Sequence, residues 1–154
     1  MKINSEKNTF SKLFDVSRET LTKLIQYELK IISFNEKSNI IGKSTIPHIW
    51  KRHFADSAKI LSLLTTIAKK KENRKLTICD VGSGAGFPGL VILILNQEKK
   101  VNFHMTLVES NKKKCSFLKD LIKCFKIKAE VINDRAENLD TVSYTHLTLP
   151  TIFA

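Results

Sequence analysis

The chain has 154 residues, 42% of them hydrophobic, and its 26 basic and 15 acidic residues leave a formal net charge of +11. That length suits one domain, or one domain with a helical extension, with room for a real core. The lysine-led surplus points to a polyanionic partner ahead of a neutral metabolite, although a lysine-rich proteome would raise the charge in the same way. No apolar run approaches the ~20 residues of a membrane span, and no signal-peptide pattern opens the chain. The three cysteines, Cys79, Cys115 and Cys124, form no C-x-x-C pair and lie in apolar contexts. The expectation is therefore a cytoplasmic chain without membrane or metal, with its thiols reduced and buried.

Residues 1–16 are polar with a few apolar points, such as Phe10, Leu13 and Phe14, and predict a short frayed helix. Ser17 caps a clearer one, in which Leu21, Leu24, Ile25, Leu29 and Ile32 recur at helical spacing, until the turn-forming stretch Asn35–Gly42 breaks it. A second long helix is expected from Thr45-Ile46-Pro47. It turns Ile49, Phe54, Ile60, Leu61, Leu64 and Ile67 to a core, carries His48, Lys51, Arg52, His53 and Asp56 in its first turns, and ends at Lys69–Lys71, where the negative helix terminus favours cations. Residues 1–75 thus read as a helical cap.

Leu76–Cys79 reads as a buried strand. It is followed by Asp80-Val81-Gly82-Ser83-Gly84-Ala85-Gly86-Phe87-Pro88-Gly89 and then by the apolar helix Leu90–Leu95. Four glycines in eight residues between strand and helix indicate backbone at positive φ, or backbone approached closely by a ligand. The helix N-terminus presents free N–H groups, and Pro88 suits its first turn. A polar turn, Asn96–Asn102, leads into a second strand, Phe103–Val108, that ends at Glu109. Asn111 caps a helix striped by Phe117, Leu118, Leu121, Ile122 and Phe125, and Ala129–Asn133 is a third strand. The β-α-β-α-β order over 76–140 is one half of a doubly wound parallel sheet.

The composition then shifts. All 22 lysines lie at or before Lys128, and Val142–Pro150 is threonine-rich with no amphipathic continuation. Residues 141–154 are read as an atypical tail, from a frameshift or chimeric end to an incomplete frame, which would leave one edge of the half-sheet unpaired.

The glycine loop fits two cofactor patterns. Gly84-x-Gly86-x-x-Gly89 matches the dinucleotide pattern, a weak signal alone. Asp80-x-Gly82-x-Gly84-x-Gly86 matches the acidic-x-G-x-G-x-G loop of S-adenosylmethionine-dependent methyltransferases, and the aspartate favours that ligand, which carries a cationic amine and a sulfonium. Asp80 could equally cap only the loop backbone. Glu109, at a strand end, is placed to accept ribose hydroxyls in either class, or is simply a solvated loop residue. Arg135-Ala136-Glu137 borders the adenine in this fold or is no more than a helix start.

The segment Asp80–Gly89, followed by Leu107–Lys114 and Phe117-Leu118, resembles the glucose-inhibited division protein B family, bacterial methyltransferases that modify guanine N7 of small-subunit rRNA. Phe34–Ile40 is similar to the family's W-N-x-x-x-N-L with phenylalanine for tryptophan, His53–Ser57 to its H-x-x-D-S, and Arg135–Glu137 to its R-A/V-E. The resemblance spans roughly residues 17–140. It implies an α/β, Rossmann-like class I methyltransferase fold, here with a partial parallel sheet and an N-terminal helical cap. It further implies S-adenosylmethionine as cofactor, with contacts at Gly82 and Phe87, at Glu109 near the ribose, and at Ala136 and Glu137 near the adenine. Asp80, Gly84 and Gly86 complete the expected cofactor site. The family continues into a fourth strand with an arginine-alanine pair and three further strands, and nothing after Leu139 matches that.

The implied activity is methylation of guanine N7 in 16S rRNA of the small ribosomal subunit by a monomer. N7 carries an unshared pair and needs no deprotonation, so orientation suffices and no catalytic residue is assigned. His53, Asp56 and Ser57 either shape the floor of the methyl-transfer pocket or grip RNA, or they form no more than a helix-surface ion pair or a cap-to-core hydrogen bond. Lys112 and Lys113, with Lys51, Arg52 and Lys114, are candidate phosphate contacts or a solvated face. The competing readings are an inactive fragment that retains cofactor or RNA binding and, more remotely, an NAD-dependent oxidoreductase.

Overall fold

Three side-chain caps set the helix starts in a computed structural model that describes residues 4–139 and the backbone of 147–150. Asn4 accepts from Lys7 N ahead of α1 (Ser5–Leu13), Ser17 from Thr20 N ahead of α2 (Arg18–Lys37), and Asn111 from Lys114 N ahead of α5 (Lys112–Cys124). Each oxygen satisfies an N–H that the first turn leaves without a partner. Between α2 and β1 (Leu76–Val81) the chain is helical in three gauges: a 3-10 turn over Lys43–His48, a π turn over Ile49–Phe54, and α3 (Ala55–Lys70). The sequence predicts one regular helix from Thr45. Pro47, without an N–H, interrupts the α ladder, and the irregular turns absorb the break.

The sheet is all parallel, in the order β3 (Glu130–Asn133), β2 (Phe103–Glu109), β1, β4 (Leu147–Pro150), with α4 (Gly89–Lys99) crossing from β1 to β2 and α5 from β2 to β3. Asp80 pairs with Leu107 and Glu109 with Asn133, so the loops after β1 and β2 open at the same end of the sheet. The expected unpaired edge of β1 is instead taken by the backbone of Leu147–Pro150, in parallel register from Ile78↔Leu147. Backbone pairing needs no amphipathic pattern, so the sequence offers no signal for it. The rest of the 141–154 tail lies outside the described residues.

The apolar α4 is sandwiched: its run Leu90–Leu95 is buried throughout, touching α2 and α3 on one side and the sheet on the other. In α2 the buried face differs from the expected stripe. Tyr27 and Ile31 are fully buried, whereas Leu29 is exposed. The Tyr27 hydroxyl donates to the Ala85 carbonyl of the glycine loop, a long-range bond that favours turning this face inward. Helix α1 is ordered by Phe10, which packs edge-on against Trp50 with centroids 5.3 Å apart, while Trp50 Nε1 donates to Glu28. Cys79 and Cys115 are buried as expected, but Cys124, near the end of α5, is exposed.

Candidate functional site

Gly82, Gly84 and Gly86 have φ of 76°, 56° and 104°, backbone that other residues adopt only under strain. The β1 loop can therefore fold back on the sheet: Gly82 N and Ser83 N both donate to the Val108 carbonyl, at 2.8 and 3.0 Å. A side chain at Gly86 would run into the Tyr27 hydroxyl and the Leu90 side chain. At Gly89 it would meet the Asp80 carboxylate and Leu107. Gly84 is different, since an added Cβ meets only the Gly82 carbonyl oxygen, at 3.9 Å.

Asp80 is fully buried. Its Oδ2 accepts from Gly89 N at 3.0 Å, and its carbonyl accepts from the Ser83 hydroxyl at 3.0 Å. The carboxylate thus ties the start of α4 to the end of β1 and shapes the loop from beneath. Glu109, also buried, spans two backbone donors: Oε1 accepts from Gly84 N at 3.0 Å and Oε2 from Asn111 N at 2.7 Å. A carboxylate has about four acceptor positions, so each oxygen keeps capacity for another donor.

Above this loop lies a cavity of about 530 Å³, walled by Gly82–Ala85, Phe87, Glu109, Lys114 and His53 and, from the cap, by residues of the 39–45 stretch. That volume falls within the ~300–1,000 Å³ range of small-molecule sites. The His53 ring is stacked on Phe87, with centroids 4.4 Å apart and an interplanar angle of 8°. Burial pushes the pKa of His53 down and Arg52 acts in the same direction, against the opposing charge of Asp56, so the ring is held toward its neutral form.

The predicted site residues separate into three groups. Gly82, Gly84, Phe87, Glu109 and His53 line the cavity together. Asp80 and Gly86 support the loop from the core side. Asp56 points to solvent and pairs with Lys59 at 3.6 Å, while the buried Ser57 hydroxyl donates to the His53 carbonyl at 2.6 Å. Lys112 and Lys113 are exposed outside the cavity; Lys114, half-buried, is the member of the lysine run that lines it. Ala136 and Glu137 sit on an exposed 3-10 turn and do not line the cavity.

What sequence reasoning missed is the roof. Asn39–Lys43 and Thr45 line the cavity, and buried Asn35 holds this stretch in place: its Oδ1 accepts from Ile40 N at 2.8 Å and Ile41 N at 3.0 Å. The sequence signals there are the turn-forming run Asn35–Gly42 and the similarity of Phe34–Ile40 to the family's W-N-x-x-x-N-L, neither of which by itself gives the stretch a place in the site. Burial pushes the Cys79 thiol up to about 11, with the Asp80 charge adding to it, which leaves no thiolate nucleophile there. Among the described residues there is no cluster of metal-ligating side chains, and no helix is long and apolar enough to cross a membrane.

A cavity over a glycine loop, at the carboxyl ends of parallel strands and with a carboxylate at the next strand end, is the nucleoside-binding arrangement of Rossmann-like folds. Sequence comparison narrows it. The profile described as rRNA small subunit methyltransferase G matches residues 20–149. The protein named ribosomal RNA small subunit methyltransferase G from Bartonella tribocorum is 43% identical over 124 residues, 80% of this chain and 54% of that protein. The Bartonella henselae protein of that name is 44% identical over 124 residues, with the same coverage of both chains. The Parvibaculum lavamentivorans protein is 37% identical over 132 residues, 86% of this chain and 55% of its own. The chain therefore spans about half the length of the curated relatives it matches. On the extent of these matches, together with the Rossmann-like fold, the chain belongs to the rRNA small subunit methyltransferase G family.

Proposed function

We propose that the cavity binds S-adenosylmethionine and that the chain serves the methylation of guanine N7 in 16S rRNA of the small ribosomal subunit. The observation that carries this reading is the Glu109 carboxylate, held at the cavity wall by Gly84 N and Asn111 N with acceptor capacity to spare. The open space beside Gly84 is a second point of fit, since loop backbone there can be approached without displacing a side chain. S-adenosylmethionine would supply an electrophilic methyl group on a sulfonium. In this assignment the Glu109 oxygens accept from ribose hydroxyls, and the backbone of Gly82 and Gly84 lies along the ligand. Asp80 sets the loop geometry and does not touch the ligand.

Guanine N7 already carries the electron pair that attacks, so the chain needs to orient the base and exclude water. The stacked His53–Phe87 wall, with its ring held toward the neutral form, suits a flat aromatic guest, and the base would have to leave its stack to reach it. Lys114 at the cavity and Lys112 and Lys113 beyond it would contact phosphates next to the base. Ala136 and Glu137, outside the cavity wall on the turn that follows β3, are the residues toward which the adenine end of the ligand would extend.

Calorimetric titration with S-adenosylmethionine and with NAD tests the cofactor assignment; binding of NAD alone would refute it. Methyl transfer to small subunits from an unmodified strain tests the activity separately. Cofactor binding without transfer would identify the chain as a binding unit only. That distinction matters because the chain covers about half of its relatives.

A further inference from the structure

At the end of the sheet opposite the cavity, the turns entering β1, β2 and β3 form one continuous, strongly basic edge. Asn102 Nδ2 donates to the Asn73 carbonyl at 3.1 Å, joining the turn before β1 to the turn before β2. Gln97 Nε2 donates to the Phe125 carbonyl at 2.9 Å, joining the end of α4 to the turn before β3. Along this edge Lys71, Arg74, Lys75, Lys100, Lys126 and Lys128 are all exposed. None of the six has an ion-pair partner among the described residues. Of the nearby acids, Glu98 is engaged by Ser17, Thr20 and Lys99 and Glu130 faces His104, while Glu72 lies exposed on the edge itself, so six cations stand against that one acid.

Lysines in a last helical turn are favoured by the helix dipole, but that does not explain two of these positions. Lys100, which closes α4, has φ 55°, and Lys126, just after the last turn of α5, has φ 53°. These are left-handed positions where glycine or asparagine is the default and a lysine is strained. Glu72 on the same edge has φ 54° as well, so strain does not single out cations there; the surplus of like charge is what works against the fold's stability and toward a polyanion.

We propose that this edge is a second RNA-docking surface, which grips the phosphate backbone of an RNA segment other than the one that enters the cavity. β1 has six residues, so the two surfaces lie on the order of 20 Å apart at opposite ends of the sheet. The exposed large apolar side chains of the described residues, Leu13, Leu29 and Leu63, lie on α1, α2 and α3, away from these turns. The edge therefore lacks the apolar anchors that a protein interface or a membrane-lying face requires. Phosphate contacts from lysine and arginine need none. The inference rests on the reading of the chain as acting on rRNA.

The test compares two variants in which three cations are neutralised. One alters the edge (Arg74→Gln, Lys100→Gly, Lys126→Gly); the other alters exposed cations of α1 and α2 (Lys12→Gln, Arg18→Gln, Lys30→Gln). The probe is a protein-free transcript of small-subunit rRNA, with affinity measured across a salt series. The edge variant should bind at least about tenfold more weakly near 0.1 M salt, with a salt slope shallower by roughly 2–3, and the α1/α2 variant should lose less than about threefold. Because glycine relieves both left-handed positions, the edge variant should melt no lower than the parent chain, which separates docking from folding. Equal losses in both variants, or an unchanged edge variant, overturn the proposal. So does loss of binding to phosphatidylserine vesicles with RNA affinity intact. Calorimetry with S-adenosylmethionine is run on all three chains. If the parent binds RNA through the edge but not the cofactor, the cofactor reading fails and the docking surface stands.

Discussion

Replacing Asn35 with alanine should unfasten the cavity roof while leaving the sheet in place. Its Oδ1 is the acceptor for both Ile40 N and Ile41 N, and both Asn35 and Ile40 are buried. Each buried N–H that loses its acceptor costs about 1–3 kcal/mol. Ile41 is half-buried and can recover water, so the pair together should lose about 2–4 kcal/mol. A domain of this size has about 5–15 kcal/mol to lose, so the fold should survive while the 38–45 stretch opens locally. Native-state hydrogen exchange reads this directly: protection of the Ile40 and Ile41 amides should fall about 30- to 700-fold in Asn35→Ala, with amides of β1 and β2 changed far less. S-adenosylmethionine affinity should fall by about tenfold in the same variant, because Ile40, Ile41 and Gly42 line the cavity. Asn35→Asp keeps an oxygen at the same place and should retain most of the protection. Unchanged protection in Asn35→Ala, or equal loss in Asn35→Asp, would refute the reasoning.

Glu109→Gln exchanges one acceptor oxygen for an NH2 group that must face either Gly84 N or Asn111 N. Unfolding by denaturant should show a loss of about 1–3 kcal/mol, and calorimetry at least tenfold weaker cofactor binding. Gly84→Ala and Gly89→Ala should separate backbone strain from crowding. The first has open space and should cost about 1–2 kcal/mol for its left-handed φ, whereas the second drives a methyl into Leu107 and the Asp80 carboxylate and should cost clearly more on the same unfolding curve. Tyr27→Phe removes the donor to the buried Ala85 carbonyl and should lower stability by about 1–2 kcal/mol without emptying the core, measured by thermal or urea unfolding. His53 has a pKa lowered by burial, so the unfolded chain binds its proton more readily than the folded one. Its contribution is fully present above the unfolded value of about 6.5 and is lost as pH falls through the lower folded value. An NMR titration of the His53 ring should give a midpoint below 6.5, and a midpoint above it would contradict the stacked, half-buried placement.

The sequence by itself determined the parallel β-α-β-α-β order, the caps at Ser17 and Asn111, and the glycine loop with Glu109 at the next strand end. These signals are local: hydrophobic period, capping chemistry and glycine spacing act over a few residues, and strand order follows from the crossover helices. It did not determine which carboxylate meets the cavity. Asp80 and Glu109 are both acids at strand ends, and only the return of the loop onto Val108 turns Asp80 under α4 and leaves Glu109 at the wall. In the same way, the inward turn of Tyr27 and the stacking of His53 on Phe87 each join positions that the chain alone does not pair. Each depends on how the helical cap seats against the loop. That seating depends on packing across the whole domain, and no short-range pattern in the chain encodes it.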